Sequence, residues 1–255
     1  MTGVRRFTVA PERITGDRVA FDRAETRHMQ AVLRLVPGDL VIAADGRGRD
    51  FTVRLEALGE QATGTILDVA TTRREASLAI TLLQGIPKGD KMEMIVRAVT
   101  ELGVVRVLPA IAQRTVVRLE SSRWRERARR WQRVAKEAAK QCGRAVIPDV
   151  AVPRPLTEWL EPTSGEADVR LCLWEGEAPP IGPVLDALPT PPAIAFVLVG
   201  PEGGLAGEEV QAAKARGWTP VSLGPRILRS ETAAQTVVAI LQFRFGDLGR
   251  AAGRE

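Results

Sequence analysis

The chain has 255 residues, 45% of them hydrophobic, and a formal net charge of +5. It has no apolar run of membrane-spanning length and no signal-like segment in residues 1–20, so a cytoplasmic protein without a membrane partner is expected. Two cysteines and one histidine are too few for a disulfide framework or a zinc site, which leaves reduced thiols and no metal, while an excess of arginine over lysine favours a nucleic-acid partner.

In chain order, residues 6–9, 18–21, 39–44, 51–57 and 63–69 alternate as β-strands do, and Asp45-Gly46 marks a hairpin. Residues 25–35 have helical character, carry Arg27, His28 and Arg34, and end at a Pro37-Gly38 turn. A small barrel fits this pattern. His28 reads as a hydrogen-bonded structural or RNA-facing residue, because no second histidine or nearby nucleophile supports a relay. Polar residues 71–75 read as a linker.

Beyond the linker the period changes. Residues 78–83 form a continuous apolar strand, a helix follows with Met94, Ile95, Ala98, Val99 and Leu102 on one stripe, and Gly103 closes it before a strand at 104–109. This βαβ unit predicts a mostly parallel sheet with helices on both faces. Residues 122–144 form the most basic helix, with Trp124, Ala128, Trp131, Ala135, Ala138 and Cys142 as its apolar stripe. Its arginines make either a solvated face or a polyanion-binding one.

Strands at 169–174 and 194–199, a short helix near 184–188, a helix at 208–215 and a strand at 220–223 complete the pattern. Two Gly-Pro turns follow two of these strands, Gly200-Pro201 and Gly224-Pro225, and in open α/β sheets ligands sit beyond the carboxyl ends of strands. Residues 200–204 lack both the P-loop and the dinucleotide fingerprint, which disfavours nucleoside triphosphates and NAD and argues against a dehydrogenase. Ser230 reads as the N-cap of a helix over 232–243. Ile227 and Leu228, apolar between Arg226 and Arg229, either fold back into the core or wall a pocket for a flat ligand.

Four stretches, QGIPKGDKMEMIVRAVTELG at 84–103, EAAKQCGR at 137–144, VGPEGG at 199–204 and SLGPRILRSETA at 222–233, together with HMQAVLR at 28–34, closely resemble the RsmE family. That family consists of 16S rRNA uridine N3-methyltransferases of the SPOUT superfamily. The resemblance implies an α/β protein with an N-terminal PUA-like β-barrel, placed here at 1–72, and a C-terminal SPOUT-type domain at 73–255 with a trefoil knot. It also implies a homodimer, 16S rRNA or the small ribosomal subunit as partner, and S-adenosylmethionine as cofactor. The implied cofactor contacts are Leu173, Glu175, Gly200, Pro201, Glu202, Gly203, Gly204, Leu223, Gly224, Ile227 and Leu228.

Transfer to uridine N3 requires loss of the N3 proton and leaves charge on O2 and O4. Arg229, Arg114 and Arg144 are the family-matched cationic donors for that charge, Arg229 first among them. Glu202 is the candidate base, although a carboxylate among arginines has a lowered proton affinity. The expected RNA contacts are Arg27, His28, Arg34, Lys88, Lys91 and Arg144. The chain departs from the family pattern at Cys142, Ser230 and Leu205, where Ser, Thr and Phe are common. The last departure removes an aromatic ring from any stacking contact there. A SPOUT 2′-O-methyltransferase and a non-catalytic RNA-binding or ribosome-assembly factor are the competing functions.

Overall fold

The computed structural model describes residues 4–71, 75–161 and 166–249. Of the expected linker, 72–74 lie outside the described residues. The chain separates into two compact units, one drawn from 1–75 and 137–147 and the other from 76–136 and 148–255. The segment 137–147 therefore groups with the N-terminal unit and not with the residues that flank it in sequence.

The first unit contains β1 (Arg5–Thr8), β2 (Ile14–Thr15), β3 (Arg18–Ala20), α1 (Arg23–Arg27), β4 (Leu40–Ala44), β5 (Arg49–Leu58) and β6 (Ala62–Thr71). They form one sheet in the order β1-β4-β5-β6-β3-β2, antiparallel except for the β1–β4 pair. Alternation in β5 turns Phe51, Val53 and Leu55 inward, where they join Phe7, Phe21, Met29 and Val41 in a single core. At the β4–β5 hairpin the Asp45 carboxylate accepts from the backbone N–H groups of Arg47 and Arg49, across Gly46 and Gly48 at positive φ.

The expected helix over 25–35 is only partly α. Asp22 caps α1 by accepting from the Glu25 N–H at 2.8 Å, and His28–Val32 then continues as a π-helical turn. The turn ends where Leu35 N–H reaches Met29 O at 3.0 Å, a wrap that puts Arg34 at φ 53. Arg34 is the one non-glycine residue at positive φ among the described residues.

Two side chains of 137–147, Lys140 and Arg144, and one backbone N–H tie the segment into this unit. Lys140 Nζ donates to Glu25 at 2.7 Å, and Glu25 also accepts from Thr8 Oγ1 at 2.7 Å. Arg144 donates to Glu75 Oε2 through Nε at 3.0 Å and Nη2 at 2.7 Å, while Glu75 Oε1 accepts from the Val146 N–H. Burying charge is tolerable only with such complete pairing.

The second unit comprises β7 (Ala79–Gly85), α2 (Lys91–Glu101), β8 (Val104–Ile111), most of α3 (Ser121–Cys142), β9 (Asp149–Val150), β10 (Arg154–Pro155), α4 (Leu156–Trp159), β11 (Val169–Leu173), α5 (Ile181–Asp186), β12 (Ile194–Val199), α6 (Gly207–Lys214), β13 (Thr219–Val221) and α7 (Ser230–Phe245). The sheet order is β10-β8-β7-β12-β11-β13, with β9 also on β8, and every pairing is parallel. Parallel strands covered on both faces are largely apolar, which is why β7 is apolar apart from Thr81 and Gln84. One face packs Leu83, Leu108, Phe196 and Leu198 against Trp159 of α4 and Val210 and Ala213 of α6. Helices α2 and α7 pack against each other and against strands of the same sheet.

In α2 the buried apolar positions are Met92, Ile95, Val96 and Val99, and Met94 is 52% exposed. Both stripes share Ile95 and Val99 at helical spacing, so the period alone does not choose between them. In α3 the expected stripe is buried at Trp124, Ala128, Trp131, Ala135 and Ala138, while Cys142 is half-buried.

Candidate active site

Because β7, β11, β12 and β13 run parallel, their carboxyl ends lie along one edge of the sheet. A cavity of about 560 Å³ opens there, walled by the ends of β11, β12 and β13 and by the first turn of α7. Its size falls in the roughly 300–1,000 Å³ range of small-molecule sites. Of the expected cofactor contacts, Leu173, Glu175, Gly200, Pro201, Glu202 and Gly204 line one side. Leu223, Gly224, Ile227 and Leu228 line the other, together with Arg229. Ile227 is 82% exposed, so this turn does not fold back into the core. Gly203 stands outside the wall, packed on Arg114.

Glycine makes this approach of loops possible. A Cβ on Gly85 would sit 2.5 Å from Pro201 N, and one on Gly200 would sit 2.9 Å from Gly204 C. Gly204 lies at φ 68, and its N–H closes a turn onto Pro201 O at 2.9 Å.

Ser230 holds this loop to α7. Arg229, extended at φ −62 and ψ 151, occupies the cap position, and its carbonyl accepts the first helical hydrogen bond from Ala233. Ser230 is therefore not the N-cap expected from sequence but the first helical residue. Its buried hydroxyl donates to Gly200 O at 2.6 Å and accepts from Gln84 Nε2 at 2.9 Å. The signal for this link in the sequence is a glutamine at the end of an apolar run, and the structure buries Gln84 completely. Ser222 and Ala233 also line the cavity, beyond the expected contacts.

Several charged residues are engaged otherwise than expected. Glu202 accepts from the Lys88 N–H at 3.0 Å and pairs with Lys91 at 3.1 Å, and Lys91 reaches Glu231 at 3.5 Å. Partial burial raises the Glu202 pKa, but the Lys88 N–H and the Lys91 ammonium outweigh it and hold the carboxyl below its ordinary value. Hydrogen bonding to Glu202 raises the Lys91 pKa. Glu202 is thus an anchored carboxylate, poorly suited to accept a proton, and Lys91 lines the cavity wall. Arg114 donates from Nη1 to Gly203 O at 2.9 Å, bracing the loop from outside the cavity.

Arg144 is 5% exposed and bound to Glu75, so neither RNA contact nor charge stabilisation at the cavity fits it. Leu205 is buried with Phe196 and Trp218, so its departure from the family pattern affects core packing and not ligand stacking. Burial pushes the Cys172 thiol up to about 12, which removes it as a nucleophile. In the first unit Arg27 and Arg34 are exposed, and the half-buried His28 ring packs edge-on against Phe7 at 5.9 Å. The Lys88 side chain is exposed. No group of metal-ligating side chains occurs among the described residues, and no described helix is long and apolar enough to cross a membrane.

The Glu202–Lys91 contact predicts a pH dependence. A carboxyl with a lowered folded pKa stabilises above its ordinary range and loses that contribution as pH falls through the folded value, whereas Lys91 loses its own as pH rises past 10.5. Glu202→Gln should therefore lower Tm at pH 7 by about 1–3 °C, a modest figure because the pair is solvent-screened. The melting curves of the two proteins should converge at acidic pH. Parallel curves down to pH 3 would remove this role.

A family model for an RNA methyltransferase domain matches residues 74–242, and one for an RNA methyltransferase PUA domain matches residues 21–66, within the six-stranded unit. The ribosomal RNA small subunit methyltransferase E of Synechocystis sp. is 35% identical over 92% of this chain and 76% of its own length. The protein of that name from Bacillus subtilis is 29% identical over 86% and 88%. The crystal structure of the Neisseria gonorrhoeae protein of that name, bound to S-adenosylmethionine, superposes with a TM-score of 0.86 at 33% identity, covering 96% of this chain and all of that one. A putative methyltransferase of Legionella pneumophila in complex with the same cofactor gives 0.87 at 30% identity over 97% of this chain and all of that one. A parallel α/β unit with its cavity at the strand ends, a PUA-like unit before it, and these matches together establish that the chain belongs to the ribosomal RNA small subunit methyltransferase E family.

Proposed function

We propose that the chain transfers the methyl group of S-adenosylmethionine to N3 of a uridine in 16S ribosomal RNA, working on the small ribosomal subunit in the cytoplasm as a knotted homodimer that needs no metal. The observation that carries this reading is the cavity walled by residues 200–204 and 223–229, glycine-dense but without a phosphate-binding signature. Its residues fit the cofactor. Leu223, Ile227 and Leu228 offer apolar surface for the adenine faces, backbone groups of the two loops suit its polar edge, and the Glu175 carboxylate favours a cationic sulfonium.

When bound, S-adenosylmethionine supplies an electrophilic methyl group at this site. The chain's residues position and stabilise. As the uridine N3 proton leaves to solvent water, Arg229 directs a planar fork of donors at the charge left on O2 and O4, and the N-terminus of α7 adds its positive dipole end. Arg114 and Glu202 act as positioning residues by bracing the loop on either side. The target base has to leave its stack, because A-form RNA hides base edges in a deep groove, and flanking RNA contacts Arg27, His28, Arg34 and Lys88.

Arg34 permits a test that separates folding from binding. A non-glycine residue at positive φ costs roughly 1–2 kcal/mol, so Arg34→Gly should raise the Tm of the protein by a few degrees. The same change should weaken RNA binding about 3- to 10-fold. A variant that is more stable and binds RNA as the wild type does would remove Arg34 from the RNA contacts.

The decisive experiment incubates the protein with methyl-labelled S-adenosylmethionine and either unmodified small subunits or free 16S rRNA, followed by digestion and identification of the labelled nucleoside. N3-methyluridine is the expected product. A 2′-O-methyl nucleoside would overturn the specificity, and absence of label in a protein that binds the cofactor would overturn transfer itself.

A further inference from the structure

Helix α3 carries six arginines and two lysines against two glutamates. Its apolar stripe is buried, so the opposite face is defined by the helical period. Arg125, Arg129 and Arg133 recur every four residues, fall on one flank of that outward face, and are all exposed. Successive members are about 6 Å apart along the axis.

The charge of these three is unanswered, as is that of Arg123 and Arg127, which lie off the row. Arg130, one position from the row, is held by Glu93 at 2.7 Å and by Asp90 at 3.7 Å. Among the described residues, none of Arg125, Arg129 and Arg133 pairs with a carboxylate, and Glu126 beside them bonds to none of them. Like charges at this spacing repel and destabilise a helix. The row therefore opposes folding of α3 slightly, and an external polyanion would relieve it.

We propose that this face of α3 is a docking strip for the phosphate backbone of RNA, with Arg125, Arg129 and Arg133 each taking a phosphate. A row of evenly spaced guanidiniums with no hydrogen-bonding polar or aromatic side chain between them reads charge and spacing, not base sequence. The strip therefore holds ribosomal RNA in register and adds affinity without choosing the uridine. It rests on the reading that ribosomal RNA is the substrate, and it adds a contact outside the cofactor cavity and the N-terminal unit.

The test compares the wild type with the triple variant Arg125→Gln, Arg129→Gln, Arg133→Gln in binding to protein-free 16S rRNA, without cofactor, across a series of salt concentrations. Loss of three phosphate contacts should reduce the slope of log K against log salt by about 2 to 3 and weaken binding at least 10-fold near 100 mM salt. Affinity for S-adenosylmethionine should not change, which also reports that the variant is folded. A triple Arg→Lys variant should keep most of the salt slope because it keeps the charge.

An unchanged slope and affinity in the glutamine variant would overturn the proposal and leave a solvated face. Weakened binding to assembled subunits with normal binding to free RNA would also overturn it, by assigning the strip to a subunit protein. If the glutamine variant fails to fold, the three single variants decide, each expected to lower the slope by about 0.7 to 0.9. Because binding is read without methyl transfer, failure of the strip and failure of the methyltransferase reading are separate results.

Discussion

Replacing Arg229 with alanine is expected to lower kcat by about 10²- to 10³-fold while leaving the Kd for S-adenosylmethionine within about 3-fold of the wild type. The expectation follows from how this residue is held. Its backbone is fixed at the cap of α7 by the Arg229 carbonyl bond to Ala233 and by the neighbouring Ser230 hydroxyl on Gly200, so the guanidinium projects from a rigid point into the cavity wall. It makes no ion pair among the described residues and keeps its donors for the substrate. A lysine at this position keeps the charge but loses the fork, and Arg229→Lys should recover less than about 10-fold of the lost rate. Single-turnover measurement separates chemistry from binding. A kcat within about 3-fold of the wild type in Arg229→Ala would remove Arg229 from the reacting centre.

Gly85→Ala is expected to weaken cofactor binding by 10- to 100-fold and to lower Tm by roughly 2–10 °C, although Gly85 does not line the cavity. Its Cβ would meet Pro201 N and Cδ at 2.5 Å and Gly200 C at 2.8 Å. These are backbone and ring atoms that have no rotamer to escape into. The strain has to be relieved by moving the 200–204 loop away from β7, which pulls on the Ser230–Gly200 hydrogen bond. Gly182→Ala is the matched control, since nothing lies within 4 Å of that Cβ and its φ is ordinary. Calorimetric titration with S-adenosylmethionine and a melting curve read both consequences. Unchanged affinity in Gly85→Ala would mean that the loop's contact with β7 does not shape the site.

Much of the α/β unit was legible in the chain because its signals are local. The strand at Ile194–Val199 is an uninterrupted apolar run that only a doubly covered parallel strand accommodates, and it was read at its observed bounds. The Trp124 to Ala138 stripe of α3 was legible for a similar reason, since it repeats over about four turns. Short elements were not legible. Strands β9 and β10 have two residues each, too few to show a period, and exist because β8 offers them an edge. The π-helical turn at His28–Val32 also has no local signature; it follows from where the chain must go after Arg27.

By itself the sequence determined the two classes of unit, the loops that carry the site, the lack of a nucleotide fingerprint and the resemblance that names the chemistry. These depend on residue type and near neighbours: glycine where backbones approach, proline after it, apolar periods of 2 and 3.6. Tertiary structure alone decided which charges are free to act. Arg144, Lys91, Glu202 and Arg229 look alike in sequence as charged residues beside motifs. Arg144 is neutralised by Glu75, from 69 residues away, and Lys91 and Glu202 answer each other across more than a hundred residues. Of these four, Arg229 alone lines the cavity with no ion pair among the described residues. A charge is available or not according to what stands within about 4 Å of it, and that distance is set by the fold and not by position in the chain.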